Sequence, residues 1–472
     1  MKIEQIYTGC LAQGAYYIVS GNEAVIIDPL REINPYLQRA EKDGVKIKYV
    51  LETHFHADFV SGHLELSKKT GATIVFGPTA KPDFEALIAT DGQILEVGKL
   101  KIKVLHTPGH TMESTTYLLF DENGKEYCIF SGDTLFIGDV GRPDLAQKSD
   151  LTIHDLAGFL FDSLRNKIMT LPDSLLVYPA HGAGSACGKN MSKETYDTLG
   201  NQKMFNYALR ANMSREEFIK EVTDGLELVP PPYYFPKNVM MNKTGAKDVD
   251  TVKSQVQALS PAAFEAAANE TGAIMIDTRP QQTFKDAFVP NSIFIGIKGD
   301  FAPWVGTLLT DIEQPILIIA DEESRVEVIT RLSRVGYDNI IGYLDGGINA
   351  WVNAGKETDS IVSITAADFA SKFKEVEGKL ILKDVRKPTE YSAEHVDEAM
   401  NIPLANLSKN MAEFSKTETN YVHCAGGYRS MIAVSILKSR GFDNLIDVEG
   451  GFKAISETDV PRTDFVCQTK MK

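Results

Sequence analysis

Cysteine is scarce in this sequence and is not arranged in pairs. The 472 residues include five cysteines, none in a C-x-x-C motif: Cys10, Cys128, Cys187, Cys424 and Cys467. Residues 1–6 contain no charged-then-apolar leader, so we expect no export signal. An odd, scattered set of cysteines in an unexported protein argues against a disulfide framework. We therefore expect a cytoplasmic protein in which any functional cysteine acts as a thiol.

Long apolar runs and an excess of basic residues are also missing. No hydrophobic stretch approaches the ~20 residues that a membrane-spanning helix needs. Acidic residues outnumber basic ones, 64 to 49, and no basic run stands out. The sequence thus predicts no membrane or nucleic-acid partner. Its 43% hydrophobic and 24% charged residues are typical of globular protein, and its length suggests about three domains.

Residues 1–228 alternate short β-like runs with turn signals and helical patterns, which predicts one α/β domain. A hairpin is predicted at 16–19 and 24–27. Buried strands are predicted at 47–51, 101–105, 127–130 and 175–178. Each of these four strands ends shortly before a His or Asp. Because α/β folds gather ligands and catalytic groups at strand ends, this placement indicates a functional site.

A proline-rich run, VPPPYYFP at 229–236, interrupts the pattern. It excludes a helix interior or a central strand. We interpret 229–252 as an extended linker or arm whose aromatic residues pack against the protein.

The rest of the chain contains an internal repeat. IMIDTRP at 274–280 resembles ILKDVRK at 381–387, GYDNI at 336–340 resembles GFDNL at 441–445, and paired glycines occur at 346–347 and 450–451. The spacing between copies is nearly constant. Two related small α/β domains are therefore predicted, at 253–358 and 359–472.

Potential metal ligands follow the predicted strands of the first domain. They lie in THFHADF at 53–59, TPGH at 107–110, FSGDT at 130–134 and YPAHG at 178–182. Imidazole and carboxylate groups are the ligands of borderline divalent metals. Four such groups at four strand ends predict a metal centre.

These motifs resemble those of the metallo-β-lactamase superfamily, which implies an αββα sandwich over about 1–225. The superfamily's metal motif is H-x-H-x-D-H, followed by separate His, Asp and His ligands. The matching residues here are His54, His56, His110, Asp133, Asp58 and His181. One position departs from the motif. Phe59 stands in place of its last histidine, and a phenyl ring cannot bind a metal.

This departure weighs against a dinuclear zinc hydrolase and leaves a single metal. Two histidines and one carboxylate favour non-haem Fe(II), with open positions for O₂ and substrate. Persulfide dioxygenases of this superfamily bind one iron in this way. The resemblance implies, as iron ligands, His54, His110 and Asp133. The other matching residues would orient these ligands or serve as alternatives to them: His56, Asp58 and His181.

Two further residues are candidates for handling the substrate. Arg142, in GDVGRPD at 138–144, resembles the G-R-x-D segment of persulfide dioxygenases and would bind an anionic group on a thiol carrier. A salt bridge to Asp139 or Asp144 is the structural alternative.

Cys187 lies in a loop of small residues, where its thiol would accept sulfur or position the substrate. Simple packing is its alternative.

The second repeat contains HCAGGYR at 423–429, between a predicted strand and a helix. Such a loop cradles an anion on backbone N–H groups, and Arg429 would favour a thiolate at Cys424. The loop resembles that of the rhodanese sulfurtransferases, over about 360–465. This resemblance implies a persulfide on Cys424, held by Gly426 and Gly427. DVRKPTEY at 384–391 resembles a second rhodanese segment, in which Arg386 would support the loop or bind the acceptor.

The middle copy has ADEESR at 320–325 where the cysteine loop should be, and no cysteine occurs from 188 to 423. This copy cannot carry a persulfide of its own. We interpret it as a spacer, a dimer surface or a docking platform, and we expect a homo-oligomer.

Together, these resemblances indicate a persulfide dioxygenase fused to an inactive and an active rhodanese domain. The implied reaction is Fe(II)-dependent oxidation of a small thiol persulfide, of glutathione or coenzyme A type, by O₂ to sulfite. Sulfur carried on Cys424 would then combine with sulfite to give thiosulfate, which detoxifies sulfide. Two alternatives stay open: a zinc-dependent thioester hydrolase of glyoxalase II type with an attached sulfurtransferase, and a non-enzymatic sulfur relay or sensor.

Overall fold

The computed structural model describes residues 1–145, 151–189, 191–226 and 231–466. Cys467 and positions 229 and 230 lie outside these ranges. The chain forms two compact units. One is built on residues 1–252 and includes Leu309–Ile312 and Thr330–Asp338, and the other contains 253–308, 313–329 and the chain from 339 onward. Within the described ranges, no helix is both long and apolar enough to cross a membrane.

Two six-stranded sheets form the first unit. The first sheet has its strands in chain order: β1 (Lys2–Thr8), β2 (Gln13–Ser20), β3 (Glu23–Ile27), β4 (Lys46–Leu51), β5 (Thr73–Phe76) and β6 (Leu87–Ile88). The second sheet also has neighbouring strands consecutive in sequence: β7 (Ile94–Val97), β8 (Leu100–His106), β9 (Thr115–Phe120), β10 (Glu126–Gly132), β11 (Leu176–Pro179) and β12 (Asp197–Thr198). The predicted hairpin is β2–β3, and the four predicted buried strands are β4, β8, β10 and β11.

Helices cover the outer faces of both sheets. Along this part of the chain they are α1 (Asn34–Asp43), α2 (His63–Thr70), α3 (Ile153–Ser163), α4 (Leu199–Phe205) and α5 (Arg215–Thr223). The first turns of α3 and α5 are closed by capping boxes, in which Thr152 pairs with Asp155 and Ser214 with Glu217.

Three apolar layers establish the predicted αββα sandwich. The central layer lies between the sheets, where Tyr16 and Ile18 share a cluster with Ile102 and Tyr117. Residues of α1 and α2 pack on the outer face of the first sheet, and residues of α3 and α5 pack on that of the second. Because both faces of each sheet are covered, the central strands are apolar on both sides.

Each copy of the repeat folds around a parallel five-stranded sheet. The first copy contains β13 (Gln257–Leu259), β14 (Ile274–Asp277), β15 (Ile293–Phe294), β16 (Ile316–Ile319) and β17 (Ile340–Leu344). The second contains β18 (Val362–Ile364), β19 (Ile381–Asp384), β20 (Met400–Asn401), β21 (Asn420–His423) and β22 (Leu445–Val448). The spatial order is β13-β17-β16-β14-β15 in one sheet and β18-β22-β21-β19-β20 in the other. The two orders correspond strand for strand, which confirms the repeat.

Helices alternate with these strands, as parallel connections require. In the first copy they are α8 (Pro261–Thr271), α9 (Gln281–Asp286), α10 (Phe301–Leu308), α11 (Arg325–Arg334) and α12 (Gly347–Asn353). In the second copy they are α13 (Ala366–Glu375), α14 (Pro388–Ala393), α15 (Tyr428–Lys438) and α16 (Gly451–Ile455).

The segment interpreted as an extended arm is largely helical, which corrects that interpretation. It contains α6 (Phe235–Thr244) and α7 (Val249–Gln255). Pro236 stands in the first turn of α6, where a missing N–H costs no hydrogen bond, so the proline begins a helix there. The expected packing is observed for two of its three aromatic residues, since Tyr234 and Phe235 are buried while Tyr233 is exposed.

Candidate metal centre and cysteine loop

The metal-binding side chains lie at the carboxyl ends of strands from both sheets of the sandwich. His54 follows β4, His110 follows β8, and Asp133 directly follows β10. All three are buried, and one ligand atom from each lies within 4.8 Å of the other two. This spacing allows a single ion to contact all three. The structure thus brings together the three predicted iron ligands.

His54 is oriented from behind by a short hydrogen-bond chain. Asp28, at the end of β3, accepts from the Thr53 backbone N–H (2.7 Å) and from the Thr53 hydroxyl (2.8 Å). The Thr53 oxygen lies 3.0 Å from His54 Nδ1 and can therefore accept its N–H. This leaves the Nε2 lone pair free to bind a metal. Burial, followed by the neighbouring His56, lowers the pKa of His54 well below its usual value, which favours the neutral ring a ligand requires.

His110 is held in the same way by a backbone carbonyl. Its Nδ1 lies 2.8 Å from the Arg142 oxygen, which accepts the ring N–H and leaves Nε2 for the metal. The loop that carries Arg142 can approach this closely because residue 141 is glycine. A Cβ at Gly141 would overlap the Asp133 carbonyl oxygen and crowd His110 Nδ1.

Asp133 presents one free oxygen to this centre. Its Oδ2 is buried and has no hydrogen-bond partner among the described residues. It lies 3.8 Å from His54 Nε2 and 3.4 Å from His110 Nε2. A buried carboxylate oxygen without a partner is costly unless a cation completes it. The three side chains therefore fit a single divalent metal.

His181 bridges two carboxylates. Its Nδ1 lies 2.7 Å from Asp133 Oδ1, and its Nε2 lies 2.8 Å from Asp58 Oδ2. Although burial opposes the charge, these two carboxylates raise the pKa of His181 well above its usual value. In its charged form both ring nitrogens donate to carboxylates, and neither carries a lone pair for a metal.

His56 turns away from the three central ligands. Its Nε2 lies 3.1 Å from Asp28 Oδ1 and 3.6 Å from Glu52 Oε2. Burial disfavours its charge, but the two carboxylates raise its pKa to about 9. The ring of Phe59 packs on that of His56, with centroids 4.3 Å apart. The substituted position thus provides apolar packing where the superfamily motif has a ligand.

Cys187 lies close to two other residues of this cluster. It is buried, and its sulfur groups with the ligand atoms of Asp58 and His181. Burial, together with the charges of Asp58 and Asp133, raises the pKa of the Cys187 thiol well above its usual value. The arrangement therefore favours a neutral thiol beside the metal ligands.

The guanidinium of Arg142 is engaged within its own loop. Nε and Nη2 donate to the two oxygens of Asp144 at 2.9 and 2.6 Å. Of the two interpretations of this residue, the geometry favours the salt bridge. Arg142 also supports the site through its backbone, because its N–H donates to the Cys187 carbonyl (3.0 Å) while its own carbonyl holds His110.

The second predicted site is a compact loop between β21 and α15. Cys424 is buried, and its sulfur accepts from the Gly427 N–H at 3.1 Å. Gly427 has a φ of 102°, a conformation that favours glycine. A Cβ at Gly426 would meet nothing within 4 Å, so open space lies over this part of the loop. Arg429 forms a bidentate ion pair with Glu390, at 2.6 and 2.8 Å.

Arg386 does not enter the cysteine loop as an anion-binding group. Its Nε and Nη2 bind the Asp384 carboxylate, and Nη2 also donates to the Glu394 carbonyl. In the middle copy, Arg279 makes the equivalent contacts with Asp277. Because the copy without a cysteine repeats this arrangement, the geometry favours a structural role for Arg386.

Asp28 and Glu52 were missed in the sequence, although both fix the metal-binding loop. Asp28 directly follows an apolar strand, the signal that identified the other ligands. Its φ of 49° is unusual for a non-glycine residue and marks a constrained position. Glu52 likewise directly follows the apolar strand β4, but only folding brings Ser61 Oγ (2.7 Å) and His56 to its carboxylate.

Comparisons with known proteins agree with this architecture. A model of the metallo-β-lactamase superfamily matches residues 8–181, and one of the rhodanese-like domain matches 260–354 and 365–458. The persulfide dioxygenase ETHE1 of Mus musculus is 32% identical over 211 residues, which cover 44% of this chain and 74% of that protein. A hydroxyacylglutathione hydrolase of Tolumonas auensis is 32% identical over 170 residues, 35% of this chain and 60% of that protein.

A solved structure extends the similarity beyond the first domain. A crystal structure titled metallo-β-lactamase, from Staphylococcus aureus, is 31% identical and covers 73% of this chain and 98% of its own, with a TM-score of 0.63. The sheets, the ligand positions and these matches support one conclusion. The chain belongs to the metallo-β-lactamase superfamily, in which it joins a domain related to the persulfide dioxygenases to two rhodanese-like domains.

Proposed function

We propose that this protein is an Fe(II)-dependent persulfide dioxygenase with sulfurtransferase activity, acting in sulfide detoxification. The observation that carries this proposal is the partnerless Oδ2 of Asp133, facing the Nε2 atoms of His54 and His110. Two imidazoles and one carboxylate are typical of mononuclear non-haem iron sites. The proposed domains are residues 1–228 for the dioxygenase, 253–358 for the inactive copy and 359–472 for the active rhodanese.

The metal, when bound, would supply redox chemistry between O₂ and a thiol persulfide, whose outer sulfur is the reductant. The protein supplies orientation. Thr53 and the Arg142 carbonyl fix the tautomers of His54 and His110. His181 engages one oxygen of Asp133 and keeps the other free. Phe59 fills the position of a second-metal ligand with an apolar ring, which favours one metal over two.

Cys187 is proposed as the residue that positions the persulfide. Its buried thiol lies beside Asp58 and His181. As a neutral thiol it would contact the outer sulfur of the substrate without repelling an anionic persulfide. With one water consumed, the products of this half-reaction would be sulfite and the free thiol, of glutathione or coenzyme A type.

Cys424 is proposed to carry sulfur in the second half-reaction: its thiolate would attack the outer sulfur of a second thiol persulfide, and the carrier would leave as the free thiol. The persulfide anion on Cys424 would be held by the Gly427 N–H and by the other small residues of the loop. Sulfite attacks the outer sulfur, a sulfur–sulfur bond forms, and the bond to Cys424 Sγ breaks. Thiosulfate leaves and the Cys424 thiolate is restored, with charge and electron count conserved.

The first experiment is metal analysis of anaerobically purified protein, paired with O₂ uptake on glutathione persulfide and coenzyme A persulfide. We expect about one iron per chain and O₂ uptake that depends on persulfide. In the same assay, His110→Ala and Asp133→Ala should lose iron and O₂ uptake but retain sulfur transfer at Cys424. Full iron retention in both variants would overturn the ligand assignment.

Thioester hydrolysis is the second candidate, because a hydroxyacylglutathione hydrolase is among the similar proteins. Two bound zincs per chain and turnover of an acyl-glutathione, without O₂ uptake, would establish it. Sulfur passage through Cys424 with neither activity would instead indicate a relay or sensor.

A further inference from the structure

The copy without a cysteine contacts the cysteine loop of the active copy. Tyr428, inside the loop, donates its hydroxyl to the Gly296 carbonyl at 2.8 Å. Its ring packs edge-on against Phe294, with centroids 5.6 Å apart. Residue 299 must be small at this contact, because a Cβ at Gly299 would overlap the Tyr428 ring. The middle copy therefore packs directly on the loop that carries Cys424.

Helix α9 of the middle copy makes a second contact, next to the same loop. Lys285 Nζ forms an ion pair with Glu449 Oε1 at 2.7 Å. Glu449 precedes the paired glycines 450–451, and a Cβ at Gly451 would overlap the Cys424 carbonyl oxygen. The ion pair thus fixes α9 against the glycines that touch the cysteine loop.

Gln281, one turn before Lys285 on α9, reaches the loop itself. A Cβ at Gly427 would lie 3.1 Å from Gln281 Nε2 and 3.7 Å from Oε1. The Gln281 amide has no protein hydrogen-bond partner in the part of the chain that the structure describes, although the residue is half-buried. The adjacent space over Gly426 is open. An amide with free N–H groups therefore stands beside the space that a sulfur acceptor would occupy.

The acceptor in this space needs such a donor. Sulfite and thiosulfate are oxyanions, and a persulfide on Cys424 is an anion as well. The nearby guanidinium of Arg429 is already paired with Glu390. A neutral amide can donate hydrogen bonds to an oxyanion without forming an ion pair with Glu390 or with the persulfide.

We propose that the middle copy completes the sulfur-transfer site and that Gln281 binds the oxyanion of the sulfur acceptor, sulfite, or of the product, thiosulfate. This inference rests on the proposed sulfurtransferase function. It gives the copy without a cysteine a role in recognising the acceptor, beyond that of a spacer.

The test compares Gln281→Ala with Gln282→Ala in the full-length, metal-loaded protein. Gln282 is the neighbouring residue of the same type and is exposed, so it is a matched control. With glutathione persulfide as donor, Gln281→Ala should raise the KM for sulfite by about 10-fold, the effect of losing one hydrogen bond to a charged group. The rate at which Cys424 is loaded with sulfur should stay within about twofold. Gln282→Ala should change neither quantity.

A second measurement separates acceptor binding from catalysis. Calorimetric titration of thiosulfate into the Cys424→Ser protein should show weaker binding when Gln281→Ala is added, and unchanged binding with Gln282→Ala. This result would support the inference even if the wild-type protein transferred no sulfur, an outcome that would overturn only the proposed function. Unchanged sulfite KM and thiosulfate affinity in Gln281→Ala would overturn the inference. An equal loss of sulfite and thiosulfate binding in Gln281→Ala and Gln282→Ala would also overturn the inference. So would slower alkylation of Cys424 in Gln281→Ala. Either result would indicate a distorted loop.

Discussion

His181 and Asp133 share a hydrogen bond that decides which oxygen of the carboxylate is available. His181 Nδ1 donates to Asp133 Oδ1 at 2.7 Å, while Oδ2 has no partner among the described residues and faces the two histidine ligands. His181 itself is fixed by Asp58 at 2.8 Å. The residue that matches a second-metal ligand of the superfamily thus orients the carboxylate of Asp133, a proposed ligand of the first metal.

Removing His181 should weaken metal binding without removing a ligand. We expect His181→Gln to lower metal affinity by about 10- to 100-fold, the usual effect of losing a partner of a metal ligand. Iron per chain after dialysis against a graded chelator series measures this effect. His154→Gln, on the exposed face of α3, is the control. Equal iron retention in both variants would contradict the proposed role.

Gly141→Ala should disturb the metal centre through steric overlap alone. The added Cβ would push the Arg142 loop away from Asp133 and His110, and overpacking of this kind costs about 1–3 kcal/mol. We expect lower iron content and a lower unfolding temperature. Gly9→Ala, where a Cβ would meet nothing within 4 Å, should leave both unchanged. A Gly141→Ala protein with full iron content would refute the close approach described here.

Restoring the superfamily histidine at position 59 should not raise dioxygenase activity. Phe59 is fully buried against His56, so an imidazole there would be a buried polar group without an arranged partner. We expect Phe59→His to destabilise the protein by about 1–3 kcal/mol, as measured by denaturant unfolding. O₂ uptake on persulfide should stay at or below the wild-type rate. A large gain in activity would show that this position limits the reaction.

Cys424→Ser should separate the two half-reactions. Persulfide-dependent O₂ uptake should persist, because the proposed iron ligands lie in the other unit. Sulfite should accumulate in place of thiosulfate, since no thiolate remains to carry sulfur. Ion chromatography of the products measures the ratio, and Cys10→Ser is the matched thiol control. If O₂ uptake disappeared together with thiosulfate, the assignment of separate roles would be wrong.

Asp447 should make the second unit less stable as the pH rises towards neutrality. Burial raises its pKa to about 7, despite hydrogen bonds from Ser430 and Ser363. A free aspartate titrates near pH ~3.9, so between these values the folded state binds a proton that the unfolded state lacks. Stability from this group is therefore present at low pH and is lost as pH rises through about 7, with a slope of up to about 1.4 kcal/mol per pH unit.

Asp447→Asn removes this dependence and provides the test. Both tryptophans of the sequence, Trp304 and Trp351, belong to the second unit, so tryptophan fluorescence follows its unfolding in urea. Between pH 5 and pH 8 the wild type should lose more stability than the variant. Parallel profiles would show that Asp447 stays ionised throughout.

Much of the architecture follows from sequence patterns, for reasons that differ between elements. Buried strands such as β4 and β10 are short apolar runs bounded by polar residues, and this pattern also located His54 and Asp133. The repeat was visible because both copies keep the same landmarks at the same spacing. The segment at 235–244 was misjudged because a proline that ends one helix can equally begin another.

The sequence leaves some contacts of the site open and does not show others. The salt bridge of Arg142 with Asp144 is one of two alternatives that the sequence offers, and Arg386 pairs with Asp384 two residues away, so both guanidinium groups are engaged with local carboxylates. Gln281 acquires its surroundings only when two distant segments meet. Its role depends on tertiary contacts, which no local pattern encodes.

The absence of cysteine from residues 188–423 has an analytical consequence. Trypsin would release Cys424 in a peptide spanning 417–429, which contains no other cysteine. Sulfur held on the rhodanese loop would therefore add its mass to one identifiable peptide. If the outer sulfur atom of the donor persulfide carried an isotopic label, the mass of this peptide would show which sulfur atom reaches Cys424 and becomes part of thiosulfate.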